Sequence, residues 1–240
     1  MSHPAPCSLP SRGRGVAAFV LATVLAGSAC GQPAAPAPPA REFGHFPYAE
    51  GAGLQDNVCT HGDAERRHLK PDAAAALARM RAAALASTPV VALLPASCFR
   101  SIASQTRLFN CSGGSGTGCA NGRLASAARR ATAVAPGGHS EHATGYAIDF
   151  FPSATDIGAG GCASRAACTT TPRFAQSRSG RWLAAHAHEF GFEQSFYAGS
   201  AQGVMVEPWH FRFVGTAQAE AVFHAARTEF PAPHPGAPQP

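Results

Sequence analysis

The apolar positions of this 240-residue chain fall into short runs cut by glycine, proline and cysteine. Pro71 and Asp72 open a helical period that runs through Ala86, with Leu77, Met80 and Leu85 near one face. Residues 89–94 (PVVALL) have strand composition, and residues 104–110 read as a helix carrying Gln105 and Leu108. Residues 146–151 form a short strand pattern: Tyr146, Ile148 and Phe150 share one face, Ala147 and Asp149 the other. Residues 180–190 predict a helix ending at Gly191, and residues 204–214 are strand-like but interrupted by Pro208. The stretches 110–120 and 154–172, each bracketed by two cysteines, predict loops. Helices and short strands mix without a regular βαβ repeat, so the predicted class is α+β with one domain over residues 43–228.

The ends have a different pattern. Val16 to Leu25 is an apolar run behind Arg12 and Arg14 and ahead of Ala26-Gly-Ser-Ala-Cys30. It is shorter than the roughly 20 residues a bilayer span requires. A basic flank, a short apolar centre and small residues predict an export signal over residues 1–29. A tethering or buried helix is the alternative. Residues 30–42 follow as a Pro/Ala-rich linker, and residues 229–240 form a Pro-rich tail.

Composition narrows the choice further. Charged residues are 14% of the chain, about half the usual ~25%, while 45% is hydrophobic and much of that alanine. A polytopic membrane protein, a coiled coil and a highly charged disordered chain are excluded. The formal charge is +5, or +3 without Arg12 and Arg14, and no Lys/Arg block occurs. Nucleic acid is therefore not an expected partner.

Cys30 stands where bacterial lipoproteins carry their lipid, although Gly27 replaces the Leu-like residue usual three positions earlier. Lipidation and plain secretion both stay open, and such an anchor is the one expected link to a membrane. Six cysteines remain in the expected mature chain: Cys59, Cys98, Cys111, Cys119, Cys162 and Cys168. An even number in an exported chain predicts disulfides, and no Cys-x-x-Cys pair suggests a cysteine zinc site. Close spacing favours Cys111–Cys119 and Cys162–Cys168, which leaves Cys59–Cys98.

Two segments carry chemistry. In Gly138-His-Ser-Glu-His142-Ala-Thr-Gly145-Tyr-Ala-Ile-Asp149, a loop delivers His142 and a strand carries Asp149. A carboxylate on an apolar strand is costly unless paired or bound to metal. Met205-Val-Glu207-Pro-Trp-His210-Phe-Arg-Phe-Val again sets a carboxylate and an imidazole among hydrophobes. Glu207 and His210 reach one site only if the chain bends, and Pro208 is the place for it. Two imidazoles and two carboxylates are the parts of a catalytic zinc site. They would equally serve as two separate structural hydrogen bonds. The other histidines, His61, His68, His186 and His188 among them, read as surface or packing residues. No Gly-x-Ser-x-Gly elbow supports a serine hydrolase.

Ser140-x-His142-x-x-Gly145-x-Ala147-x-Asp149 followed by Glu207-Pro-Trp209-His210 resembles the paired signature of the LAS metallopeptidases, most closely the VanY-type D-alanyl-D-alanine carboxypeptidases. Upstream, Phe99-Arg100-Ser101 with Gln105 and Leu108-Phe109 is similar to the family's Tyr-Arg-Ser…Gln…Leu-Phe segment; Phe99 departs from it by lacking a hydroxyl. The resemblance runs from about Leu69 to Phe223. It implies a small α+β domain with a central antiparallel sheet flanked by helices and zinc in a cleft, the LAS/hedgehog-like peptidase fold. It also implies one Zn2+ on His142, Asp149 and His210, with Glu207 as general base on the attacking water and Arg100 polarising the scissile carbonyl. Ser140, Gln105 and Trp209 would contact substrate. The expected activity is release of D-alanine from the D-Ala-D-Ala end of peptidoglycan stem peptides, in the periplasm or cell envelope, by a monomer. An endopeptidase of the same fold and a non-catalytic zinc-containing wall-binding module are the alternatives, although the latter commonly lose the acid/base residue that Glu207 retains here.

Overall fold

Helix α1 (Pro71–Leu85) begins with proline in its first turn, where the missing N–H costs no hydrogen bond. It buries Ala73, Ala76, Leu77, Met80 and Ala84, a helical stripe whose small alanines permit close packing. The other elements are β1 (Leu94–Ser97), α2 (Ile102–Phe109), α3 (Ala127–Ala131), β2 (Ala147–Phe151), α4 (Arg165–Cys168), α5 (Arg178–His186), β3 (Phe192–Gln194), β4 (His210–Phe213) and α6 (Ala217–Glu229). This computed structural model describes residues 40–60, 62–111, 126–158 and 162–233. The expected export signal, most of the linker, Cys30, Cys119 and the end of the tail lie outside the described residues.

The four strands form one antiparallel sheet in the order β1-β2-β4-β3. Its register sets Ser97 opposite Asp149 and Asp149 opposite His210, so three polar residues lie in one row across the sheet. Strand alternation then gives the sheet two unlike faces. Ile148, Phe150, Phe211 and Phe213 enter the core with Tyr146, Leu77, Met80 and Phe223. Burying each such side chain is worth about 1.5–3 kcal/mol. Asp149, His210 and Arg212 take the opposite face.

Several elements differ from the sequence expectation. The strand composition at 89–94 overlaps β1 only at Leu94, because Leu94 pairs with Phe151, the last residue of β2, and earlier residues find no partner there. The strand-like segment 204–214 reduces to β4, since residues 204–207 are irregular and the chain turns at 208–209 to accommodate Pro208. The stretch 154–172 contains a 3₁₀ turn (Ala154–Asp156) and α4, with residues 159–161 outside the described set. The helix at 180–190 divides into α5 and a 3₁₀ turn (Ala187–Phe190) that closes at Gly191 with φ of 80°. Strand β3 and helix α6 had no counterpart in the reading of the sequence.

Disulfides join Cys59 to Cys98, with Cα atoms 6.0 Å apart, and Cys162 to Cys168, at 5.8 Å. The first ties the N-terminal segment to the residue that follows β1. The proposed partner of Cys111, Cys119, lies outside the described residues.

Candidate metal centre

His142 is delivered by a 3₁₀ turn (Glu141–Thr144) that ends at Gly145, where φ is 75°. A Cβ at Gly145 would stand 2.5 Å from the Leu54 side chain, so glycine suits both the turn and the close approach. From there the chain enters β2 and reaches Asp149.

His142 Nδ1 lies 2.6 Å from the carbonyl oxygen of Cys98. A carbonyl only accepts, so this nitrogen carries the proton and donates it. Burial holds the His142 imidazole below its ordinary pKa, against the pull of Asp149, which favours the neutral form. Its bare Nε2 then faces Asp149 Oδ2 at 3.2 Å. A lone pair facing a carboxylate oxygen is an arrangement that a cation relieves. The other carboxylate oxygen, Oδ1, is 3.0 Å from His210 Nδ1. One atom from each of His142, Asp149 and His210 falls within 4.8 Å of the others, and all three side chains are buried. Two nitrogens and one oxygen at this separation fit the donor set of zinc.

Burial alone would lower His210, but bonds to Asp149 and Glu141 outweigh it and raise its pKa to about 10. Burial likewise opposes ionisation of Asp149, yet the two imidazoles hold its carboxyl well below the usual range. To hold a metal, His210 would have to give up its Nδ1 proton, so binding there would favour higher pH.

The bend expected at Pro208 is a turn in which His210 N donates to Glu207 O at 3.0 Å, while Glu207 N donates to Phe196 O at 2.9 Å. It brings Glu207 and His210 onto the same cavity, about 280 Å³ in volume. Burial raises the Glu207 carboxyl to about 8, with His210 and Arg100 opposing and Asp149 reinforcing the rise. A cation at the centre would lower it again, and a carboxyl that titrates near neutrality can both take and return a proton. Arg100, 9% exposed, donates from Nη1 to Gln105 Oε1 at 2.7 Å, and Gln105 Nε2 donates to Ala135 O at 2.6 Å. Burial and the nearby Arg66 lower Arg100 to about 10, which leaves it charged at neutral pH. Ser140 and Trp209 also line the cavity; Trp209 is at the same time part of the core.

Residues that the sequence reading passed over complete the site. Glu141 accepts hydrogen bonds from His210 Nε2 (2.9 Å), Arg212 Nη1 (2.8 Å), Ser195 Oγ (2.5 Å) and Tyr48 OH (3.4 Å). Burial opposes its charge, but Arg212 and His210 prevail and hold it down at about 2. Arg212 also donates to Glu193 Oε1 at 2.8 Å, and Arg227 reaches the same oxygen at 3.1 Å. With Nε2 held by Glu141, His210 presents Nδ1 to the centre, the kind of orienting contact that metal-binding histidines use. Arg212 in the run His-Phe-Arg-Phe-Val was the available signal, a charge on an apolar strand as at Asp149.

The model of the VanY family, described as D-alanyl-D-alanine carboxypeptidase, matches residues 66–216. The chain belongs to this family. The matched span contains Arg100, His142, Asp149, Glu207 and His210. Among solved structures, the fold is similar to the LdcB LD-carboxypeptidase, with 25% identity, 72% of this chain and 73% of that chain covered, and a TM-score of 0.53. A variant of the vancomycin-resistance D,D-pentapeptidase VanY in complex with Zn(II) matches at 20% identity, 76% and 94% coverage, and a TM-score of 0.48. VanYB in complex with D-alanine-D-alanine matches at 22% identity, 75% and 87% coverage, and a TM-score of 0.48. No curated protein matches the chain. Membership of the VanY family supports a peptidoglycan-hydrolysing peptidase. Among the described residues, no helix is long and apolar enough to cross a membrane.

Proposed function

We propose that this family member is an exported, zinc-dependent D,D-carboxypeptidase that releases D-alanine from the D-Ala-D-Ala end of peptidoglycan stem peptides. The observation that carries the reading is the convergence of His142, Asp149 and His210 within 4.8 Å on a cavity that Glu207 and Arg100 also line. Zinc bound by those three residues would supply Lewis acidity and a water acidic enough to react near pH 7. Glu207 takes the proton of the attacking water and returns it to the departing D-alanine amine. Arg100 donates to the carbonyl oxygen as negative charge develops there. One such donor is typically worth about 3–4 kcal/mol. Gln105, tied to Ala135, keeps the guanidinium from swinging away. Ser140 and Trp209 contact the peptide at the cavity wall. The export-signal pattern over residues 1–29 suits a substrate that lies outside the cytoplasmic membrane.

The similarity to an LD-carboxypeptidase at 25% identity favours a second reading, cleavage of an L,D bond. Metal content and D-alanine release should be measured together on model pentapeptide and tetrapeptide, with and without chelator. D-Alanine from the pentapeptide, lost on chelation and restored by zinc, is the expected result. Release from the tetrapeptide alone would replace the D,D reading with the L,D one. Products cut within the stem would point to an endopeptidase, and metal content without hydrolysis to a wall-binding module.

A further inference from the structure

Carboxypeptidases differ from endopeptidases in one chemical requirement, a place for the free carboxylate of the last residue. The cavity wall beside the metal centre has the parts for one. The 3₁₀ turn Ala64–Arg67 crosses the end of β1, where Cys98 N donates to Arg66 O at 2.9 Å. The Cys59–Cys98 disulfide fastens the same point. Two residues on, Arg100 N donates to His142 O at 3.2 Å. Arg66, Ser97 and Arg100 thus reach one cavity together with His142 and Asp149.

This wall has donors that lack an acceptor. Ser97 is 2% exposed, and its Oγ has no hydrogen-bond partner. Arg100 Nε is also buried without one. Leaving buried polar atoms unpaired is costly, so a site that retains them calls for a ligand to pair them. A hydroxyl and a guanidinium N–H both lack the same thing, an electron-rich oxygen. The charge points the same way. Two guanidinium groups line the wall, and Arg66 is the charge that most opposes that of Arg100. Arg66 keeps Asp63 at 3.9 Å, whose side chain is half exposed to water. An anion between the guanidinium groups removes their repulsion and fills the hydrogen bonds.

We propose that Arg66 and Ser97 anchor the terminal carboxylate of the substrate, beside Arg100 on the scissile carbonyl. This rests on the carboxypeptidase reading above and deepens it. The scissile carbonyl and the terminal carboxylate belong to adjacent residues, with Cα atoms about 3.8 Å apart, so neighbouring cationic groups on one wall suit them. An internal peptide bond offers only neutral amides to the same wall.

The test compares an N-acyl-L-lysyl-D-alanyl-D-alanine peptide with its C-terminal amide. Wild type, R66A, R66K and S97A are assayed for hydrolysis of both. The wild type is expected to prefer the free acid. R66A should reduce the acid-to-amide ratio of kcat/KM by roughly ten-fold or more, chiefly through KM. R66K should retain part of the preference, and S97A should lose a smaller part. A wild type indifferent to the carboxylate, or an R66A ratio equal to that of wild type, overturns the anchor while leaving the hydrolase reading intact. If neither peptide is cleaved, the hydrolase reading fails, and calorimetric binding of the two peptides then decides the anchor. Acid-selective binding abolished in R66A upholds it; equal binding, or none, overturns it.

Discussion

The two sides of the metal centre are finished to different degrees. On the His210 side every polar group is satisfied: Glu141 accepts from four donors, and Arg212 links it to Glu193 and Arg227. On the Arg100 side, Ser97 Oγ and Arg100 Nε are buried without partners, and Glu207 carries a carboxyl pushed up to about 8. Ser97 and Arg100 on one side and Glu141 and Arg212 on the other are all buried, so burial does not explain the contrast. A saturated network holds a geometry, whereas an unsaturated wall keeps its hydrogen-bonding capacity for something that arrives. On this account the His210 side builds the centre and the Arg100 side meets the substrate.

The sharpest way to break that division is Glu207→Gln. Glu207 belongs to the reacting side, so the variant should lose hydrolysis by about 10²–10⁴-fold while keeping its metal. Turnover with model pentapeptide and metal content by elemental analysis check both halves. Metal loss in step with activity would move Glu207 to the building side.

The next largest effect tests the saturated side. Glu141→Gln leaves the buried Arg212 with Glu193 alone and removes the charged partner of His210 Nε2. Breaking a buried ion pair from one side costs about 3–5 kcal/mol. Loss of an orienting contact of this kind lowers metal affinity by about 10–100-fold. Denaturant unfolding and chelator competition measure the two. The acid dependence follows from the same carboxylate. Its pKa is about 2 when folded, below the roughly 4.3 of an unfolded glutamate. The folded state therefore binds this proton less readily, and the stabilisation is fully present above about pH 4.3 and is lost as pH falls toward 2. The stability slope across that window should be shallower in Glu141→Gln than in wild type. Equal slopes would remove Glu141 from the network that holds the site.

The same contrast accounts for what could be read from the chain. Asp149, Glu207, His142 and His210 stood out because polar groups amid apolar runs need a reason, and the bend that joins Glu207 to His210 was legible in Pro208. Glu141 hid beside a histidine in a polar segment, where a carboxylate needs no explanation until the turn buries it. Arg212 met the same criterion as Asp149 and went unread. Helix α6 escaped because its buried stripe of Ala219, Phe223 and Ala226 has a single large apolar residue. The strand signal at 89–94 reported apolar content, whereas β1 is set by where β2 ends. Pairing partners are a tertiary fact that local composition does not contain.

The smallest effect separates the two sides most finely. Ser97→Ala removes a buried hydroxyl that has no partner, so it should leave the ligand-free protein unchanged or more stable by up to about 1 kcal/mol. Ser195→Ala, which removes a donor to Glu141 at 2.5 Å, should destabilise by about 1–2 kcal/mol. The two changes delete the same atom from buried serines, 2% and 3% exposed, on opposite sides of one centre. Denaturant midpoints of the ligand-free variants, compared at constant slope, read the difference directly. Equal destabilisation would mean that Ser97 is structural like Ser195, and the distinction between a building side and a receiving side would fail at its most exposed point.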